Sequence, residues 1–292
     1  MQFRKGLHRT FKTVAVGAAA VLLLGSFAAL AQTPASPPIH GLAHIAIRVN
    51  DIATSKAFYE KLGYEQAFAF DKNGIVTQSF IKVNDRQFIE LYPKAAGPET
   101  QPQTGFLHLC FDGDDLQALH DFDVSQGLTP ISIRKAGAGN LLFTLRGPEE
   151  QNIEYTQYMP GSLHFEDRGK HLGEHRIADS FFAVGLGMKD LAAARTFYTA
   201  KLGFSTATGS KTILLIPGSK DPGTGGSIAA QQILLEPLTS TASRIFLYVP
   251  DLKKAAAELK KRSVLAVSVK QALTITDPDG NTLVLTSSRL AF

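Results

Sequence analysis

The sequence predicts an α+β fold of four βαβββ modules joined in pairs into two domains. Three observations predict it. In the first half, His44, Asp51, Gly63 and Glu90 recur as His108, Asp115, Gly127 and Glu154, each 64 residues later. Around each landmark the pattern runs strand, helix, then three strands. The second half repeats the plan in weaker form. A constant offset over four landmarks is the signature of an internal duplication.

The chain opens on a segment that stands outside the modules. Residues 1–31 carry Arg4, Lys5, Arg9 and Lys12 with no acid, then the apolar run Val14 to Phe27, then Ala29-Leu30-Ala31. This is the order of a secretory signal peptide, with an apolar stretch too short for an ordinary membrane span. Its removal takes away four of the 30 basic residues and none of the 26 acidic ones, which leaves a formally neutral chain. The sequence therefore predicts an exported protein, periplasmic or secreted, with no integral membrane span after cleavage. The overall charge of +4 belongs to the leader and leaves no electrostatic footprint for nucleic acid. Cys110 is the single cysteine, so no internal disulfide forms, and the domains stand on their apolar cores. Residues 32–39, rich in Pro, Ser and Thr, read as a flexible leader.

The first module starts with an alternating strand over 42–49. Asp51 caps a helix whose apolar stripe is Ile52, Phe58, Tyr59 and Leu62, and Gly63 ends it. Strand-like stretches follow near 65–70, 75–83 and 87–92. The second module repeats this order, with Gly137, Gly139 and Asn140 as turn residues between two of its strands. Together they make a domain over 40–158. A polar segment, 159–178, reads as a surface linker. In the second domain, 179–292, Asp190-Leu191 opens a helix ending at Leu202-Gly203. Asp251-Leu252 opens another, and Asp277-Pro278-Asp279-Gly280-Asn281 makes a tight turn before the last strand.

The duplication sets His44 and His108 on equivalent first strands and Glu90 and Glu154 on equivalent last strands. Both glutamates sit in apolar strand sequence, Phe88-Ile89-Glu90-Leu91-Tyr92 and Ile153-Glu154-Tyr155. A carboxylate buried in a sheet is costly unless it is paired or metal-bound. Taken singly, a strand histidine is ordinarily a satisfied core residue and a strand glutamate faces solvent. Two of each in one register point instead to an N2O2 site for one divalent ion: Zn, Ni, Mn, Co or Fe(II).

These same residues resemble the vicinal oxygen chelate superfamily, which includes glyoxalase I, bleomycin- and fosfomycin-resistance proteins, methylmalonyl-CoA epimerase and extradiol dioxygenases. The carriers are His44-Ile45-Ala46-Ile47, the Asp51…Phe58-Tyr59…Leu62-Gly63 helix, Ile89-Glu90-Leu91, His108-Leu109 and Ile153-Glu154-Tyr155. The resemblance spans nearly all of 40–158 and 179–288. It implies paired modules forming a cup-shaped mixed sheet around a divalent metal, with His44, Glu90, His108 and Glu154 at the four ligand positions. In the second pair the matching positions are read as Ala183, Glu236, Phe246 and Val284. One ligand in four holds a divalent ion poorly, so that domain is expected to be degenerate. An intact quartet also argues that modules one and two share a cup, although exchange within a homodimer would preserve it as well.

Two carboxylates favour the family's Lewis-acid branch over the dioxygenases, where the position matching Glu90 is not a ligand. The resemblance therefore implies a lyase or isomerase that polarises a carbonyl or vicinal oxygens of a small molecule. Glu154 would be ligand and base, and Glu90 ligand or opposing base. Glutathione adducts, the substrates of glyoxalase I, are chiefly cytosolic and fit an exported protein badly. The alternatives are an Fe(II) extradiol-type dioxygenase and a non-catalytic binder of a small ligand, as among the drug-sequestering members.

Other features read more plainly. Cys110 shares a strand face with His108 and is expected to be a small buried hydrophobe. His164, His171 and His175 are expected on the linker surface; His171 and His175 lack the H-E-x-x-H order. Arg134, Tyr92, Tyr155 and Phe143 are candidates to line the pocket. Gly218 to Gly226 reads as a loop, and its Gly223-Thr224-Gly225-Gly226 lacks the Lys and Ser/Thr of a nucleotide-binding P-loop. The basic last helix, with Lys253, Lys254, Lys260, Lys261 and Arg262, reads as a solvated face.

Overall fold

A computed structural model describes Met1 and residues 37–97, 103–219, 230–239 and 242–288. The expected signal peptide and most of the loop within 218–226 lie outside the described residues.

The first sheet contains β1 (Gly41–Val49), β2 (Glu65–Lys72), β3 (Ile75–Lys82), β4 (Phe88–Pro93), β5 (Gly105–Asp112), β6 (Arg134–Lys135), β7 (Leu141–Arg146) and β8 (Asn152–Gln157). Their order is β2-β3-β4-β1-β5-β8-β7-β6. The equivalent strands β1 and β5 pair antiparallel at the centre, and each is flanked by a parallel partner, β4 or β8. Modules one and two therefore share one sheet. A second sheet, with β10 (Ser205–Thr206), β11 (Ile213–Leu215), β14 (Ala266–Val269) and β15 (Ala272–Thr276) in its outer positions, repeats the plan as β10-β11-β12-β9-β13-β16-β15-β14. Its central strands are β9 (Phe181–Met188), β12 (Gln232–Pro237), β13 (Arg244–Tyr248) and β16 (Thr282–Thr286).

The four Asp-headed helices form as their capping residues predict. Asp51, Asp115, Asp190 and Asp251 each accept from backbone amides of the first turn of α1 (Ile52–Lys61), α2 (Leu116–Ser125), α4 (Leu191–Ala200) and α5 (Leu252–Lys261). A further short helix, α3 (Leu163–Glu166), lies in the segment between the sheets. Among the described residues no helix is long and apolar enough to cross a membrane.

Alternation splits each sheet into a core face and a cup face. Ile45, Ile47, Leu109, Phe111 and Tyr155 from the first sheet join Val184, Tyr198, Ile245 and Leu285 in one continuous apolar core. The first cup has its own cluster of Ala43, Phe80, Phe88, Cys110 and Tyr158. β1 changes phase to serve both. Leu42 pairs with Phe111 and His44 with Cys110, which leaves Ala43 as a bulged extra residue. Leu42 faces the core, Ala43 the cup, and Ile45 the core again. The bulge thereby sets His44 on the cup face.

Gly63, just past α1, has φ +88° and packs where a Cβ would meet the His175 carbonyl oxygen at 2.3 Å. Gly74 has φ +78° with open space around it. Gly74→Ala is expected to cost about 1 kcal/mol, from backbone strain alone. Gly63→Ala adds a clash with backbone and is expected to cost roughly 2–4 kcal/mol. Urea denaturation of the two variants against wild type checks the difference.

Candidate metal centre

The four predicted donors occupy the four central strands, one each, on the cup face. Ala46 of β1 lies between Glu90 of β4 and His108 of β5, and Cys110 of β5 lies between His44 of β1 and Glu154 of β8. The duplicated register thus converges the duplicated side chains. His44 is the hub. Its Nε2 stands 2.9 Å from His108 Nε2 and 3.5 Å from Glu154 Oε1, and its Nδ1 stands 3.2 Å from Glu90 Oε1. All four residues are buried.

Two groups have ligand atoms within 4.8 Å of one another: His44, Glu90 and His108, and His44, Cys110 and Glu154. Donors bound at ~2.0–2.2 Å to one ion stand roughly 3–3.5 Å apart, which is the spacing found around His44 Nε2. His44 Nδ1 is buried and faces the Glu90 carboxylate without a well-formed hydrogen bond. The donor set of imidazoles and carboxylates fits one divalent ion.

The electrostatics point the same way. Burial, reinforced by His108, holds the His44 imidazole well below its ordinary range, and burial brings His108 down to about 4. Both rings are neutral near pH 7 and offer lone pairs. Burial, with the nearby Glu154 charge, pushes Glu90 up to about 8, and burial pushes Glu154 up to about 7. Two acids without a cation are driven toward their neutral forms.

Several lining residues support the quartet. Glu90 Oε2 accepts from Gln78 Nε2 at 2.9 Å and from the Tyr92 hydroxyl at 3.1 Å, which leaves Oε1 toward His44. Tyr92 was legible by alternation, two residues from Glu90. Gln78 carried no signal of its own. Cys110 is buried as expected, but its thiol also lies against Glu154. Arg134 lines the cavity, as does Leu142, whereas Tyr155 and Phe143 point into the core. The cavity holds about 200 Å³ between His44, Glu90 and Glu154 at one end and an aromatic wall of Phe70 and Phe80 at the other. His164 also lines it, which overturns the expectation of a surface position.

The second cup has lost more than the sequence count suggested. In the parallel register Ala183 pairs with Gln232 as His44 pairs with Phe88, so Leu234 stands at the place of Glu90 and Glu236 at that of Tyr92. Arg244, opposite Gly185, stands at the place of His108, and Phe246 at that of Cys110. Val284 does fall at the place of Glu154. Alignment by landmark spacing slipped two residues along β12 and β13, which preserves the face and so hides the error. Glu236 is spent on an ion pair with Arg244.

Residues 41–155 match the family model described as Glyoxalase/Bleomycin resistance protein/Dioxygenase superfamily. No curated protein matches the chain. Similar solved structures include the 2,3-dioxygenase LapB from Pseudomonas sp. KL28, with TM-score 0.61 at 15% identity over 86% of this chain and 93% of that one. A single-site variant of homoprotocatechuate 2,3-dioxygenase from B. fuscum has TM-score 0.61 at 13% identity, covering 87% and 72%. The Mn(II)-bound glyoxalase from Novosphingobium aromaticivorans has TM-score 0.61 at 12% identity, covering 86% and 83%. At these identities the likeness is one of fold.

The raised carboxylates make a signed pH prediction. Protons held by Glu90 and Glu154 in the folded chain are released on unfolding, where the ordinary value is 4.5. Chelator-treated protein is therefore most stable, as far as these groups decide, below about pH 4.5, and loses that contribution as pH rises through 7 to 8. Glu90→Gln is expected to flatten this fall. Added Zn(II) is expected to stabilise more at pH 8 than at pH 6, because it competes with fewer protons. Melting temperature against pH, with and without the ion, reads both.

Proposed function

We propose that this chain, whose residues 41–155 belong to the Glyoxalase/Bleomycin resistance protein/Dioxygenase superfamily, is a divalent-metal-dependent lyase or isomerase acting on a small oxygenated molecule. The observation that carries the reading is the pair of buried carboxylates, Glu90 and Glu154, that flank the His44–His108 pair in one cup. A divalent ion held there supplies Lewis-acid polarisation of a carbonyl or of vicinal oxygens. The chain itself supplies the proton chemistry. Glu90 is fixed by Gln78 and Tyr92 and serves as a ligand. Glu154 is met instead by the weaker Cys110 thiol and is the group to take a proton from the carbon beside the polarised oxygen and return it to a neighbour. Arg134 at the cavity wall favours an anionic substrate. A volume of about 200 Å³ suits a compact molecule and is small beside the ~300–1,000 Å³ of drug-sized pockets, which disfavours a glutathione adduct. Export belongs to the same reading, on the basic, apolar, A-x-A order of residues 1–31.

One observation favours a second reading. His44, His108 and Glu154 form a two-histidine, one-carboxylate group, with His44 Nε2 2.9 Å from His108 Nε2 and 3.5 Å from Glu154 Oε1; that donor set suits non-haem Fe(II), and two of the similar structures are 2,3-dioxygenases.

Elemental analysis of residues 32–292, purified without chelator, separates the readings. About one ion per chain is expected, lost in His44→Ala and largely lost in Glu90→Ala. In the Mn(II)- or Zn(II)-loaded protein, exchange of the α-protons of hydroxyacetone with D2O, followed by NMR, is expected to fall about 100-fold or more in Glu154→Gln. Iron retained in Glu90→Ala, with oxygen uptake on a catechol, would establish the dioxygenase instead. A chain that takes up no ion would leave only a ligand-binding cup.

A further inference from the structure

The segment between the sheets delivers an imidazole into the first cup that the proton chemistry above does not use. α3 is pinned at its N-terminal end. Ser162 Oγ accepts from the Phe165 amide, and the Leu163 amide donates to the Ala138 carbonyl at 2.8 Å, beside the turn before β7. His164 is then 3% exposed. Its ring stacks on Tyr158 with centroids 4.7 Å apart and meets Phe68, Phe80 and Phe88 edge-on at 4.9, 5.4 and 4.8 Å. Four rings fix its plane. Neither of its nitrogens has a hydrogen-bond partner, although buried polar atoms ordinarily find one. The ring borders the same cavity as His44, Glu90 and Glu154.

A second buried group fastens this segment. Lys82, fully buried at the end of β3, donates from Nζ to Asp167 Oδ2 at 2.8 Å, to the Asp167 carbonyl at 2.5 Å and to Asp85 Oδ1 at 2.9 Å. Asp167 Oδ1 meets His171 Nδ1 at 2.5 Å. A buried cation with three oxygen partners anchors the segment three residues past His164, because withdrawing any of them leaves charge uncompensated.

We propose that the interdomain segment is the ligand-recognition element of the metal cup, with His164 as its hydrogen-bonding group and Lys82 and Asp167 as positioning residues. This rests on the metal-centre reading. Burial brings the His164 imidazole down to about 3, so the ring is neutral, with one N–H to donate and one lone pair to accept. It is therefore a partner for a polar atom of a bound ligand rather than a charged acid. The ligand class it selects is a compact molecule with adjacent oxygens for the ion, a flat apolar body against Phe70 and Phe80, and a polar atom for His164.

Benzohydroxamate, which offers adjacent oxygens on a flat ring, and 4-hydroxybenzohydroxamate, which adds a distal hydroxyl, are suitable probes. Calorimetry on Zn(II)-loaded wild type, His164→Phe, His164→Gln and Asp167→Asn, with metal content and melting temperature measured in parallel, tests the proposal. His164→Phe keeps the ring nest and removes the two unpartnered nitrogens. It is expected to retain the ion, melt no lower than wild type, and bind the better of the two probes about 10-fold more weakly. His164→Gln is expected to recover part of the loss, and Asp167→Asn to share it without lining the cavity. In wild type, nitrogen NMR of the His164 ring is expected to shift when that probe binds. Unchanged affinity in His164→Phe with a silent His164 resonance would overturn the proposal alone. Loss of the ion in His164→Phe would also overturn it, by making the residue a prop of the metal site. Failure of wild type to hold an ion would overturn the metal reading and this proposal together.

Discussion

The site depends on the pairing of β1 with β5, the two duplicated first strands, in a register that carries two bulged residues, Ala43 and Leu107. Because the strands are equivalents of one another and run antiparallel, a landmark on one is brought near its copy on the other. His44 and His108 meet at 2.9 Å for this reason. The parallel partners β4 and β8 then bring Glu90 and Glu154 in by the same rule. Ala43 absorbs the phase change that lets Leu42 and Ile45 feed the core while His44 enters the cup. A slip of one residue in this pairing would turn one module's two donors into the apolar core and leave the other two alone in the cup.

That geometry concentrates groups that oppose folding. Two imidazoles and two carboxylates are taken out of water within one cup, and each is driven toward neutrality by burial. The surrounding contacts hold them there. Gln78 and Tyr92 fix one glutamate, four aromatic rings fix His164, and the Lys82–Asp167 pair closes the segment beside them. Such stored opposition is what a cation relieves, so binding and folding are linked through the same side chains.

Much of this was legible in the residues. The Asp-headed helices and their glycine ends were, because capping is local chemistry. The placement of His44, Glu90, His108 and Glu154 on one cup face was, because duplication keeps equivalent side chains at one offset and one strand face. His164 was not. It lies outside both modules, has no copy, and sits in a polar stretch whose composition says surface; only the tertiary packing of Phe68, Phe80, Phe88 and Tyr158 draws it inward. The second cup departs from its sequence reading at two positions for a related reason. A shift of two along a strand conserves the alternation, so Glu236 and Phe246 looked like ligand places until the pairing of β9 with β12 and β13 assigned those places to Leu234 and Arg244.

The same registers explain why a domain with none of the four donors remains a full eight-stranded sheet. The core face of the first sheet packs into one cluster with the second sheet and its helices. Phe111 meets Phe204, Gln87 Nε2 donates to the Phe181 carbonyl at 2.8 Å, and Asp279, in the turn before β16, accepts from the Asn50 amide and Ser55 hydroxyl beside α1. That face requires apolar volume and backbone pairing, which β9, β12, β13 and β16 supply. The cup face of the second sheet carries none of the first cup's four donors. Ala183, Leu234 and Val284 fill the places of three donors with apolar groups, and the fourth, Arg244, is neutralised by Glu236. The chain thus divides its duplicated parts by face: four strands build the centre, and their four copies cover the core behind it.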